Sequence, residues 1–447
     1  MTGAAFPPSG QGRLAHVLAT RSGRAAPEAP LVIEHREALI YMLCLAAELE
    51  HVVMCQYLYA AYSLKQGPDE GVSAAQLQAI ERWRAGVARV ATQEMLHLAL
   101  VQNLLASIGA APHLSRPNLP PPPGRYPAAF RLAYLPFGER ALRHFMYLER
   151  PEGMQLADPA ARRALRRAAP APVGPGELAP RPQDFATIGH LYRAIEAGFR
   201  RLADRYGEAR LFCGPRRAQA TAAAFRWPEL VAVDDLASAQ AAIDTIIEQG
   251  EGAQGDWRRA HFGQFVAMLD EYLAMRRQDP TFEPARPLLP ANVRPHERGP
   301  AGPLISDRTT ARCADLFNVG YEVLLLLLQR YFAHTEESDA QLDTLAGVGL
   351  GIMVEVLAPL GRLLTRLPVG GAHPGRTAGP SFELFYETDY VLPHRRAAWL
   401  LLEERLQDAA AFCGCIRAEA GSLAAVLDPV AVSLERFAGL LAAGQDG

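Results

Sequence analysis

The chain has 447 residues, 49% of them hydrophobic, with 45 Lys plus Arg against 48 Asp plus Glu and a formal net charge of -3. Such a composition can bury a sizeable core and excludes a largely disordered chain. A balanced charge with no basic surplus argues against nucleic acid as a partner.

Residues 1 to about 30 are rich in Gly, Ala and Pro. They read as a flexible arm without the apolar core of a signal peptide. From His35 to Leu64 apolar residues recur at helical spacing: Leu39, Met42, Leu43, Ala46, Leu49, Val53 and Leu58. Gly67-Pro68-Asp69 ends this helix, and the capping box Ser73-Ala-Ala-Gln76 opens a second that runs to about Ile108. Gly109 supplies the left-handed residue on which helices often finish. A Pro-rich stretch centred on Pro120 to Pro123 follows, then mixed signals from Phe130 to Glu149 that suggest short helices. Pro151 to Pro182 is loop-like. A third helix fits Phe185 to Tyr206, a fourth Leu236 to Gly250 and a fifth Trp257 to Arg277. The break from Pro280 to Pro303 marks a domain boundary. Beyond it, helices fit Cys313 to Phe332, Leu342 to Leu367 and Pro393 to Ala420, with Pro368 to Tyr390 as a loop.

No segment has the strand period, so the fold class is all-α. The expected organisation is an arm over 1–30, a four-helix bundle with long loop excursions over 31–279, and a helical C-terminal domain over 304–447. The cysteines (Cys44, Cys55, Cys213, Cys313, Cys413 and Cys415) include no second pair to complete a zinc site and no haem-attachment sequence, and read as structural thiols. The apolar run Val323 to Leu328 is too short to span a bilayer. The expectation is a cytoplasmic protein without membrane association.

Chemistry is expected where charge interrupts the apolar helices, because a buried charge is costly unless paired or bound to metal. On the first helix the interruptions are Glu48, Glu50 and His51, and on the second they are Gln93, Glu94 and His97. Glu94 and His97 are three apart and share one face. That spacing lets a carboxylate and an imidazole contact one cation, as in di-iron helical bundles. An ExxH alone is weak evidence, since an ion-paired Glu beside a core His looks the same. Further candidate ligands are Glu248 and Glu251 at the end of the fourth helix, His190 on the third and His261 on the fifth. Glu248 reads equally as a solvated helix end and His261 as a cap. His51, Gln56 and Gln93 are candidates to orient the ligands, and Tyr57 and Tyr192 to steer an oxidant or substrate, although helical aromatics are usually core.

Several ordered motifs carry a resemblance. Glu50-His51, Gln56-Tyr57-Leu58-Tyr59-Ala60, Glu94-Met-Leu-His97 with Asn103-Leu104-Leu105-Ala106, Thr187-Ile188-Gly189, Tyr192, Gln249-Gly-Glu-Gly252 and His261-Phe262 fall in one order. Together they resemble the ferritin-like domain of the iminophenyl-pyruvate dimer synthase family, over roughly residues 35 to 275. Phe317-Asn318, Tyr321, Leu367-Pro368-Val369-Gly370 and Thr377-Ala-Gly-Pro-Ser-Phe-Glu383 resemble the extension of its stand-alone members. The resemblance implies metal ligands at Glu50, Glu94, His97 and Glu251. It also implies one departure, because the family usually has Glu where this chain has His190. The implied activity is that of a non-haem iron oxidase or oxygenase, with two irons or with manganese. It would act with dioxygen on a small amine or amino-acid-derived substrate in a biosynthetic pathway. A metal- or partner-binding protein without turnover is the alternative, and a homodimer is left open.

Overall fold

The computed structural model describes residues 31–127, 130–154, 156, 184–252, 256–295, 302–333, 336–385 and 392–445. The expected arm and most of the expected loop between Pro151 and Pro182 lie outside the described residues. The fold is all-α: among the described residues β-pairing is limited to isolated bridges such as Leu64 with Ala285.

The chain divides into two compact units. The first comprises residues up to 108 together with 123–213 and 233–285. Its helices are α1 (Arg36–Ser63), α2 (Ala74–Ser107), α3 (Glu139–Leu148), α4 (Ile188–Tyr206), α5 (Leu236–Gly250) and α6 (His261–Gln278). Local chemistry sets most of these boundaries. Ser73 and Gln76 form the reciprocal capping box of α2, with Oγ accepting from Gln76 N at 3.3 Å and Oε1 from Ser73 N at 2.8 Å. Thr187 caps α4 by accepting from His190 N, and Asp235 opens α5 with a reciprocal box to Ser238. Gly109 follows α2 at φ +79°, a conformation that costs a residue with a Cβ.

Helices α1, α2, α5 and α4 pack in that cyclic order as a four-helix bundle. α3 and α6 pair with each other, and α6 also touches α2 and α5. α1 is apolar almost all round, and from Leu45 to Tyr57 every residue is buried. Such a helix belongs at the centre of a core. Two stretches, Arg36–Ser63 and Asp339–Leu364, have the length and hydropathy of a membrane span, a possibility the short run at Val323 did not suggest. In α1 that hydropathy accompanies burial inside the protein of 83% of the apolar window, which also carries Glu48, Glu50 and His51.

The second unit comprises 109–122, 214–232 and the chain from 286 onward. Its long helices are α7 (Arg308–Ala333), α8 (Asp339–Ile352), α9 (Arg395–Glu419) and α10 (Ala424–Gly444), packed in the cyclic order α7, α8, α10, α9. After α8 the helix widens into a π turn over Met353–Leu357 and continues as Ala358–Leu364. The wide turn accommodates Pro359, whose ring would otherwise meet the carbonyl four residues back. α10 has no counterpart among the expected helices. Pro429 sits inside it, yet Leu427, Val430, Leu434, Phe437 and Leu441 form a buried stripe at helical spacing. Tertiary packing outweighs the one backbone bond that proline removes.

Candidate metal centre

Five side chains from four helices of the first unit converge. Glu50 comes from α1, Glu94 and His97 from α2, Glu149 from the residue that closes α3, and His261 from the first residue of α6. Their exposures are 1%, 2%, 1%, 5% and 0%. Glu50, Glu94 and His97 form one group whose potential donor atoms all lie within 4.8 Å of one another, and Glu94, Glu149 and His261 form a second. Glu94 belongs to both.

The two groups repeat one plan. In the first, His97 turns Nδ1 toward Glu94 Oε2 at 3.2 Å and Glu50 Oε2 at 3.4 Å, while its Nε2 lies 3.1 Å from Gln249 Oε1. In the second, His261 turns Nδ1 toward Glu94 Oε1 at 2.8 Å and Glu149 Oε2 at 3.6 Å, while its Nε2 lies 3.2 Å from Gln93 Oε1. Each outer carboxylate also has a tyrosine: Tyr192 Oη donates to Glu50 at 2.6 Å, and Tyr57 Oη donates to Glu149. A glutamine oxygen on Nε2 favours the proton there and leaves the Nδ1 lone pair facing the carboxylates, the tautomer a ligating imidazole needs.

The site titrates as a coupled cluster. Burial, together with the Glu94 charge, pushes Glu50 up to about 8. Burial would raise Glu94 too, but the imidazolium charges of His261 and His97 hold it well below the usual carboxylate range. Burial opposes protonation of the histidines, yet Glu94 and its neighbours lift His97 to about 10 and His261 to about 9. Tyr57 and Tyr192 are pushed well above 10 by burial and by the carboxylates they touch, so both remain hydroxyl donors. Without an ion, the charge of Glu94 is therefore balanced by protons on two imidazoles.

Glu94 Oε1 and His261 Nδ1 are only 2.8 Å apart, yet neither buried atom makes a hydrogen bond of acceptable geometry. Two close ligand atoms that share no hydrogen bond suit a shared cation. Carboxylates with imidazoles are a donor set that fits iron or manganese.

The structure brings together Glu50, Glu94, His97 and His261 from the sequence candidates, with Gln93, Tyr57 and Tyr192 around them. It does not bring in the others. Glu248 is exposed at the end of α5. Glu251 is buried but engaged elsewhere, ion-paired with Arg193 and accepting from Glu152 N at 2.9 Å. Burial raises its carboxyl and Arg193 opposes the rise. His190 is buried on α4, where its backbone N–H meets the Thr187 cap, and its ring belongs to neither group. His51 is buried on α1 and also belongs to neither. Gln56 is directed away, its Oε1 accepting from Ala133 N at 3.1 Å and lying 3.0 Å from His144 Nε2. Glu149 was not among the candidates. It continues the face of Leu142 and Phe145 on α3, and an acid on that apolar face was the available signal.

Residues 43–270 match the ferritin-like family. The chain belongs to that family. This ferritin-like chain is 28% identical, over 79% of its length, to dichlorochromopyrrolate synthase of Lentzea aerocolonigenes, covering 36% of that protein. It is 30% identical, over 86% of its length, to 2-imino-3-(indol-3-yl)propanoate dimerase of Chromobacterium violaceum, covering 38% of that protein. Both relatives are members of the iminophenyl-pyruvate dimer synthase family. The chain thus spans less than two-fifths of the length of each. A solved ferritin-like protein from Caulobacter vibrioides is similar over 71% of this chain and 96% of its own, with 19% identity and a TM-score of 0.44.

Proposed function

We propose that this ferritin-like chain is a non-haem iron oxidase or oxygenase with a two-ion centre, acting on a small amine or amino-acid-derived substrate of a biosynthetic pathway. The observation that carries the reading is the repeated plan around Glu94, in which each half has an outer carboxylate held by a tyrosine and an imidazole held by a glutamine. Glu50, Glu94 and His97 would hold one ion, and Glu94, Glu149 and His261 the other. Ferrous iron, when bound, supplies one-electron and dioxygen chemistry.

The protein's own residues supply the rest. Tyr57 and Tyr192 keep their protons and fix the outer carboxylates. Gln93 and Gln249 fix the rings. Phe145 and Phe265, with centroids 4.7 and 5.1 Å from that of Tyr57, exclude water from one side of the site. The relatives' names point to an indolyl imino acid and to a chlorinated pyrrole product. For this chain the substrate class is therefore an imine or amine derived from an aromatic amino acid.

The test is anaerobic loading with ferrous iron, followed by metal analysis and oxygen-electrode measurement with an indolyl imino acid as substrate. Two irons per chain and substrate-dependent oxygen uptake are expected. Failure to retain iron would sink the proposal, and iron retained without oxygen uptake would favour a binding protein without turnover.

A further inference from the structure

The second unit contains a cleft of about 470 Å³ that takes no part in the metal centre. That volume lies in the range of sites that enclose a small molecule. One wall is a single face of α9, where Arg405, Asp408, Ala409 and Phe412 follow the spacing i, i+3, i+4, i+7. The opposite wall is α7, through Asp315, Leu316 and Val319. Ala409 leaves the space that a larger residue on that face would fill.

The two loops that complete the cleft are held from behind. The buried Glu383 carboxylate accepts from Val293 N at 2.8 Å, Arg294 N at 3.2 Å, Ser381 Oγ at 2.8 Å and Asn318 Nδ2 at 3.2 Å. Asn118 bonds both the N–H and the carbonyl of Leu384, each at 2.8 Å. These bonds fix the backbone that presents Arg294 and Phe385, whose guanidinium and ring stack at 4.8 Å. Fixed first-contact residues on a supporting network are what a binding site requires.

Asp315 decides what the cleft would take. Its Oδ1 is buried and makes no hydrogen bond, and the nearest cation, Arg294 Nη2, stands 3.9 Å away. A carboxylate left in that state costs stability unless a ligand supplies the donor. Burial lifts its carboxyl above the ordinary range, with Arg294 pulling against the rise. The lining carries Arg294 and Arg405 beside Asp315 and Asp408, with Arg405 also paired with Glu322 Oε2 at 3.2 Å, and Phe385, Phe412, Leu316 and Val319 supply apolar surface.

We propose that this cleft binds a free α-amino acid with an aromatic or large apolar side chain, its ammonium on Asp315, its carboxylate at Arg294 and its side chain against Phe412. Charged at both ends and apolar in its body, such a zwitterion matches Asp315, Arg294 and the apolar lining.

The experiment is calorimetric titration of the full chain with L-phenylalanine, beside 3-phenylpropionate, which lacks the ammonium, and 2-phenylethylamine, which lacks the carboxylate. One saturable site is expected for L-phenylalanine. Asp315→Asn should weaken it about tenfold, the worth of one charge-assisted hydrogen bond. Ala409→Trp should abolish it. The first change is isosteric and relieves an unsatisfied charge, so it tests the site without threatening the fold. No saturable heat, an unchanged affinity in Asp315→Asn, or analogues that bind as tightly as the amino acid would each overturn the proposal. Ferrous-iron loading of the same preparation reads the metal centre, so failure of one reading is distinguishable from failure of the other.

Discussion

Glu94 is the residue on which the centre turns, because its two oxygens face different imidazoles, Oε2 toward His97 and Oε1 toward His261. Substitutions should therefore differ in kind and not only in degree. Glu94→Ala removes a donor from both groups and should leave almost no tightly held iron. Glu50→Ala or Glu149→Ala removes a donor from one group and should leave about one ion per chain. Metal analysis after anaerobic loading and gel filtration separates the cases. Equal losses in all three variants would show that the groups do not act as two positions. Glu94, His97 and Glu50 were legible because a charge in an apolar helix has few inexpensive explanations. Glu149 was not, because an acid at the end of a short amphipathic helix is ordinary until another segment buries it. Glu251 stands apart from both groups for the converse reason. Its spacing suited a ligand, but Arg193 lies four positions beyond Gly189, across from it, and takes its charge. Gly189 has no Cβ, and one built there would fall 2.3 Å from Glu251 Oε2, so that carboxylate lies directly against α4.

At the scale of elements, periodicity and caps outlined α1, α2 and α5 to within about a residue, because those signals are local. They found α6 but put its start four residues early, at Trp257, whereas the helix begins at His261. Gly263 fixes that helix start. A Cβ built there would sit 2.4 Å from the backbone carbonyl oxygens of Trp257 and Arg258, too close for any rotamer to relieve. Gly263→Ala should force the turn before α6 to move and displace His261, although its own contact with the metal groups is nil. The expected outcome is loss of one ion per chain together with a lower melting temperature. Gly347, also inside a helix, has open space around its Cβ position and provides the control. Gly347→Ala should keep both ions and raise stability by about 0.5 to 1 kcal/mol, the helix-propensity difference. A Gly263→Ala protein with full iron content would refute the role assigned to this turn.

Across the whole molecule, the candidate ligands come from residues 50 to 261 of the first unit, while the second unit has its own buried ion pair. Arg330 on α7 holds Glu337, before α8, through Nε to Oε1 at 2.5 Å and Nη2 to Oε2 at 2.8 Å. Trp399 Nε1 on α9 adds a bond to the same carboxylate at 3.2 Å. Burial would raise the Glu337 carboxyl, but the bonds and charge of Arg330 outweigh it and the net shift is downward from 4.5. A carboxylate with a depressed folded pKa contributes its full stability above the unfolded value and loses it as pH falls through the folded one. Glu337→Gln leaves the buried Arg330 without its counter-charge, although the Leu392 and Pro393 carbonyls still accept from it. It should cost roughly 3 kcal/mol at pH 7, the scale for breaking a buried pair. At pH values below the folded pKa, wild type and variant should converge, because the wild-type carboxylate is then protonated as well. Urea denaturation of both proteins from pH 7 down to pH 3 measures that convergence. A gap that stays constant with pH would mean that Glu337 acts through packing and not through its charge.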